Sequence, residues 1–225
     1  MSVVVVVKKD REIVIAADTL TTKNGYIRIK STHKENNSKI VQYKDNYIGS
    51  VGSSLAKQMF LQSLYSSKKE LSLHGIDNIY RTLLKVHRIL KREHYILPQK
   101  AGDVESSHIR LLIANSSGIF GVEPDRYVIE YSRFWANGSG GNFALGAMEQ
   151  AYENHSASEI ARIGIEAACT FDKHCDLPMH IHTLEEDLVK TKTKVIEPLI
   201  DKKFCDDWCD NVSNWIQNIK NRVSK

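Results

Sequence analysis

Along the first fifty residues, apolar positions come in short runs separated by polar turns. Val3 to Val7 is five β-branched residues without a break, and Ile13 to Ala17 is a second unbroken apolar run. Neither alternates, which predicts strands buried on both faces. The KKDRE between them reads as a tight turn, so the two runs form a hairpin that needs cover above and below. TTKNGYIRIK predicts a turn at Asn24-Gly25 and a short alternating strand, and STHKENNS reads as a polar loop. SKIVQYKDNYIGSVGSS predicts a second hairpin with Lys44-Asp45-Asn46 at its turn. Gly52 ends that strand, and Ser53 or Ser54 can cap a helix.

The period then lengthens. Helices are predicted from about Leu55 to Tyr65 and from Ile76 to His94; in the second, Ile76, Ile79, Tyr80, Leu83, Val86 (or His87) and Leu90 share a stripe. PQKAGDVESS is a loop. Strands follow in HIRLLIAN and GIFGVE, joined at Ser116-Ser117-Gly118, and around RYVIEY, while FWANGSGGN reads as a glycine-rich turn. The next helix presents Ala144, Ala147, Met148, Ala151 and Tyr152. SASE supplies a capping box for another, with the stripe Ile160, Ile163, Gly164, Ala167, Ala168 and Phe171. DLPMHIHTL breaks that helix and gives a last strand. Without βαβα alternation, a doubly wound parallel sheet is excluded. The order predicts an α+β fold, two antiparallel sheets between two helical layers. Residues 2–184 form the domain, and residues 185–225 a charged, partly helical C-terminal extension with Trp208 and Trp215 expected to dock on the body or a neighbouring subunit.

Composition narrows the classes. The 225 residues are 42% hydrophobic and 26% charged, ordinary for a chain that buries a full core. A dispersed net charge of +4 does not point to nucleic acid, and HRILKREH reads as the exposed side of a helix. Val3 to Val7 is too short for a membrane span, which needs about 20 apolar residues, and the start lacks secretory signal features. A cytoplasmic protein with reduced Cys169, Cys175, Cys205 and Cys209 is expected. Cys205 and Cys209, with Asp206, Asp207 and His174, raise the question of a metal, but a four-residue spacing is not a CxxC zinc pair, and no metal site is expected.

Four segments in this order, SVVVVVKKDREIVIAAD, SKIVQYKDNYIGSVGSS, NGSGGNFALGAMEQAYE with SASEIARIGIEAA, and HIHTLEED, resemble the proteasome β-subunit family, in particular bacterial proteasome homologues and the peptidase rings of bacterial ATP-dependent proteases. The resemblance covers residues 2 to 184. It implies the four-layer αββα sandwich of N-terminal nucleophile hydrolases and assembly as stacked rings.

It also implies a site. Such enzymes attack with the hydroxyl of the first mature residue, usually threonine; here that would be Ser2 after removal of Met1. A serine hydroxyl needs an adjacent base, and a free α-amine, of pKa about 7.7 to 8.0, can serve. Asp18 matches the buried aspartate after the second strand, and a lysine should pair with it. Lys34 stands at the family's usual interval from Asp18, whereas Lys39 stands in the usual strand context; Lys39 is favoured and Lys34 is the alternative. Gly52 matches the oxyanion-hole glycine, and Ser139 and Asp172 the two auxiliary polar residues, with Cys175 where a serine is common. Substrate would lie extended between the Thr21-Thr22 and Gly52 segments as an added strand. His180 and His182 are read as structural.

The implied function is a self-compartmentalising peptidase. It would act on peptides or unfolded proteins in a homo-oligomeric double ring, without a cofactor, and could be fed by an ATP-dependent unfoldase. The alternative is a non-catalytic ring subunit serving as scaffold or gate. Such α-type subunits usually carry an N-terminal helical extension; the lack of one in this sequence favours the enzyme.

Overall fold

The computed structural model describes residues 2–36, 38–67, 71–96, 100–101 and 104–187. The chain divides after Asp187. The expectations for the extension, including Trp208, Trp215, Cys205, Cys209, Asp206 and Asp207, concern residues outside those described, as does Met1.

Strands β1 (Val3–Lys9) and β2 (Glu12–Asp18) form the first hairpin. Asp10 and Arg11 turn it with φ of 49° and 69°. β3 (Thr21–Lys23) and β4 (Ile27–Ile29) make a small two-stranded sheet, and a 3-10 turn covers Ser31–His33. β5 (Ile40–Tyr43), β6 (Asn46–Ser50), α1 (Ser54–Ser66) and α2 (Ile76–Glu93) follow. A short pair, β7 (Lys100–Ala101) and β8 (Val104–Glu105), precedes β9 (Leu111–Asn115), β10 (Gly118–Val122), β11 (Val128–Tyr131) and β12 (Phe134–Gly138). Then come α3 (Gly141–Ala151), α4 (Ala157–Phe171) and β13 (Met179–Glu185).

Two antiparallel sheets result, in the orders β12-β1-β2-β13 and β11-β10-β9-β6-β5. Side-chain alternation along the hairpin splits it between two cores. Val3, Val5 and Val7 pack under α3 and α4 with Ala144, Met148 and Ile160, whereas Val4, Val6, Ile13 and Ile15 pack between the sheets against Leu112, Ala114 and Ile119. A third core joins Phe60 and Leu64 of α1 and Leu83 and Leu90 of α2 to the outer face of the second sheet. The layers are αββα, as expected. Val3 to Val7 are all fully buried. Burying a valine contributes about 1.5 kcal/mol, close to the ordering cost of about 1–2 kcal/mol per residue. Burial alone would barely hold the terminal strand. Ladders on both edges, to β2 and to β12, satisfy its backbone and fix it.

Four local expectations change, the first being the PQKAGDVESS loop, which carries the short antiparallel pair β7–β8. Phe134–Gly138 is a strand, not part of a turn, because pairing with β1 overrides its glycine and asparagine content. On α2, Ile76 and Tyr80 are exposed, and the buried stripe is Ile79, Thr82, Leu83, Val86, His87 and Leu90. On α4 the buried set is Ala157, Ile160, Ala161, Gly164, Ile165 and Ala168, rotated away from Ile163, Ala167 and Phe171. Gly164 sets that rotation by its approach to α3, since a Cβ there would lie 2.7 Å from Met148 Cγ. The capping box forms as expected from Ser156 and Glu159.

Candidate active site

Ser2 leads into β1, which places it at the edge of a cleft of about 680 Å³. Its backbone N donates to Ser139 Oγ at 3.2 Å, and its carbonyl accepts from Gly140 N at 3.4 Å. Ser139 follows β12, the strand paired with β1, so the ladder that anchors Val3 also delivers Ser139 to Ser2. Ser139 does not cap α3: the capping residue is Gly140 and lacks a side-chain bond. The Ser139 hydroxyl instead engages Asp172 at the C-terminus of α4. Burial raises the Asp172 carboxyl pKa, but bonds from Ser139, His174 N and the Cys175 thiol outweigh it and hold the carboxyl below its ordinary value. Cys175 thus donates to Asp172 (3.4 Å) where a serine was anticipated.

Asp18 ends β2 and is fully buried. Its Oδ1 accepts from Val3 N at 2.9 Å and from Lys39 Nζ at 2.5 Å; its Oδ2 accepts from Leu20 N at 3.1 Å and Asp176 N at 3.3 Å. Four donors saturate a carboxylate. Lys39 immediately precedes β5, so a strand start directs it. Burial moves its pKa below the usual lysine range, opposed by the charge and hydrogen bond of Asp18. Lys34 lines the same cleft, but its Nζ donates to Thr21 Oγ1 at 2.5 Å and not to Asp18. The structure therefore pairs Lys39, not Lys34, with Asp18.

Thr21 and Thr22 line one wall of the cleft, and Ser50, Val51 and Gly52 another. β3 pairs with β4 on one side, and among the described residues its other edge has no strand partner. Gly52 adopts φ +93°, which favours glycine for its backbone conformation, since a Cβ would meet nothing within 4 Å. Ser53 caps α1 by accepting from Ala56 N. His180 and His182 lie on β13 beyond these walls, and His182 stacks on Tyr47 at 4.6 Å between centroids.

A family model described as "Proteasome subunit" matches residues 2–173. The chain belongs to the proteasome subunit family. It is 36% identical to the solved structure of BPH from Thiobacillus denitrificans in complex with epoxomicin, over 82% of this chain and 99% of that one, with a TM-score of 0.76. The proteasome fold also appears in eukaryotic HslV from Trypanosoma brucei (18% identity, TM-score 0.61, 82% of this chain and 99% of that one). An Anbu mutant from Hyphomicrobium sp. strain MC1 shares it too (12%, TM-score 0.60, 96% and 97%). No curated protein matches the chain. Proteasome subunits as a class are self-compartmentalising N-terminal nucleophile peptidases that form rings and take peptide substrates. Among the described residues no helix is long and apolar enough to cross a membrane, and no cluster of three metal-ligating side chains occurs.

Two features of this proteasome-type site escaped the sequence reading. Gly138, at φ +110°, permits the close approach of β12 to Ser2, because a Cβ there would sit 2.0 Å from the Ser2 carbonyl oxygen. The GSGG stretch signalled a turn, and nothing in it specified this contact. Lys57, in the first turn of α1, also lines the cleft and donates to Ser38 O at 2.7 Å. Its signal was present: a cation in a helix's first turn opposes the macrodipole by about 0.3–1 kcal/mol, and no acidic residue accompanies it there.

Proposed function

We propose that the chain is a proteasome-type peptidase in which Ser2, exposed by removal of Met1, is the nucleophile. The observation that carries this is the convergence on Ser2 of two polar systems. Ser139, backed by Asp172, meets the Ser2 nitrogen, and buried Asp18 accepts from the adjoining Val3 N while pairing with Lys39, which lines the cleft. Ser2 Oγ attacks the peptide carbonyl carbon, and its proton passes to the α-amine. Lys39 keeps that amine neutral by its charge, and Ser139 accepts from the amine and orients it. The carbonyl oxygen becomes an oxyanion at the Gly52 N–H, a donor typically contributing about 3–4 kcal/mol to the transition state. The amine returns the proton to the leaving nitrogen, the C–N bond breaks, and an acyl ester forms on Ser2. Water, deprotonated by the same amine, then attacks the ester carbonyl, and the amine returns that proton to Ser2 Oγ as the C–O bond breaks and the acid product leaves.

Substrate enters extended and adds to the open edge of β3 beside Thr21 and Thr22. A homo-oligomeric double ring would confine these sites, so that unfolded chains and peptides are admitted, with an ATP-dependent unfoldase as a candidate partner.

The test is the intact mass of the purified protein before and after a boronate or β-lactone probe, with the labelled residue mapped. Loss of Met1 and an adduct on Ser2, absent in Ser2→Ala, is expected. Retention of Met1 with no adduct overturns the reading in favour of a non-catalytic ring subunit.

A further inference from the structure

The cleft beside Ser2 is lined by three lysines, Lys34, Lys39 and Lys57. Lys39 has Asp18 as its counter-charge. The other two have neutral oxygen partners, Thr21 Oγ1 for Lys34 and Ser38 O for Lys57. Among the described residues neither forms an ion pair with a carboxylate; Glu35, the one acidic residue lining the cleft, is exposed and pairs with neither. Burial first, then repulsion between the lysines, lowers the pKa of both. The N-terminus of α1 opens into the same space, with Ser53, Ser54 and Lys57 along the cleft and no acid in its first turn. Helix dipole and lysine charge thus have the same sign in one concave, partly desolvated place, an arrangement that an anion stabilises. A cation crowded by cations at a helix N-terminus is unfavourable for the empty fold, and conflicts of this kind are expected at functional sites.

We propose that this cleft selects an acidic side chain, glutamate or aspartate, on the substrate residue whose carbonyl Ser2 attacks. The inference rests on the peptidase reading above. Placement follows from chain order: α1 starts two residues after Gly52, so a side chain next to a carbonyl held at Gly52 points along Ser54 and Lys57. A neutral or basic side chain there would leave the lysines uncompensated.

Binding tests this independently of turnover. N-acylated tetrapeptide amides ending in Glu, Gln or Lys are titrated by calorimetry into the Ser2→Ala protein. The Glu peptide is expected to bind about tenfold more tightly than the Gln peptide, with an advantage that shrinks as salt rises. Lys57→Glu should reverse the order in favour of the Lys peptide. Lys57→Gln and Lys34→Gln, which keep a polar side chain, should each reduce the Glu advantage several-fold. Equal binding of the Glu and Gln peptides, failure of both to bind, or a Glu advantage that survives Lys57→Glu overturns the proposal. A Gln-ending free acid that binds as well as the Glu-ending amide assigns the cleft to a terminal carboxylate and also overturns it. Failure of the peptidase reading shows elsewhere, as absence of a Ser2 adduct in the wild type, and fluorogenic peptides ending in Glu or Leu then report whether selection reaches turnover.

Discussion

The floor and the wall of the cleft are built on opposite terms. On the floor, Asp18 is fully buried, accepts four hydrogen bonds and neutralises Lys39. On the wall, Lys34 and Lys57 have neutral oxygen partners. The floor sits on a hairpin packed on both faces, where a displaced group would be costly, so its polar atoms are all satisfied from within. The wall comes from a loop and the first turn of a helix, where charge can be altered without disturbing a core. On the proposed reading, geometry for the chemistry resides where the fold is rigid, and selectivity where it is tolerant.

Breaking the floor should have the largest effect. Asp18→Ala leaves Lys39 buried without a counter-charge and three N–H groups without an acceptor; a loss of about 3–5 kcal/mol is expected in denaturant unfolding. Adding Lys39→Met should restore part of it, which would assign the loss to the stranded charge. Gly138→Ala comes next. It combines a left-handed φ with a Cβ driven onto the Ser2 carbonyl, about 1–3 kcal/mol by thermal melting. Gly25→Ala at the exposed β3–β4 turn, where a Cβ meets nothing, should show only the left-handed penalty of about 1 kcal/mol. If the two glycine variants melt alike, the contact between β12 and Ser2 is not what demands glycine.

Acid offers a finer probe. The Asp172 carboxyl is held below its ordinary value by the Ser139 hydroxyl, the His174 N–H and the Cys175 thiol, against the effect of burial. A depressed carboxyl pKa adds stability that is complete above the unfolded pKa of about 3.9 and disappears as pH falls through the folded value. The gap in Tm between wild type and Asp172→Asn should therefore be steady from pH 7 to about 5 and close below about pH 4. A gap that widens in acid would reverse the sign of this account. The smallest effect is expected on the wall, where Lys57→Gln should change stability by about 0.5 kcal/mol or less in the same denaturant assay.

Much of this was legible because the sequence obeyed local rules. Val3 to Val7 could only be a strand buried on both faces. Ser156 and Glu159 specified a helix start, and Lys44-Asp45 a hairpin turn. The candidate site residues Ser2, Asp18, Ser139 and Asp172 came from the family resemblance, and the structure brings them near one another around the start of β1. Choosing between Lys34 and Lys39 was not possible from spacing alone, because a loop of STHKENNS length can bring either one near Asp18; strand β5 decides the matter by aiming Lys39. Phe134–Gly138 was misread because its pairing with Val3 to Val7 is a long-range fact. Gly138 and Lys57 were missed for a related reason. Each matters through what lies against it in space, and a single chain read in order does not display that.

The register of β1 has a consequence for the order of events during synthesis. Val3 pairs with Gly138 and Val7 with Phe134. β1 therefore waits for β12, far along the chain, before both its edges are covered, and long-range pairing of this kind forms slowly. Until β12 emerges, β1 keeps one edge unpaired, a place where another strand can add. Once β12 docks, that edge is covered and Ser2 N meets Ser139 Oγ. Completion of the first sheet is in this way tied to the arrival of a segment far along the chain, and so is the gathering of polar groups around Ser2.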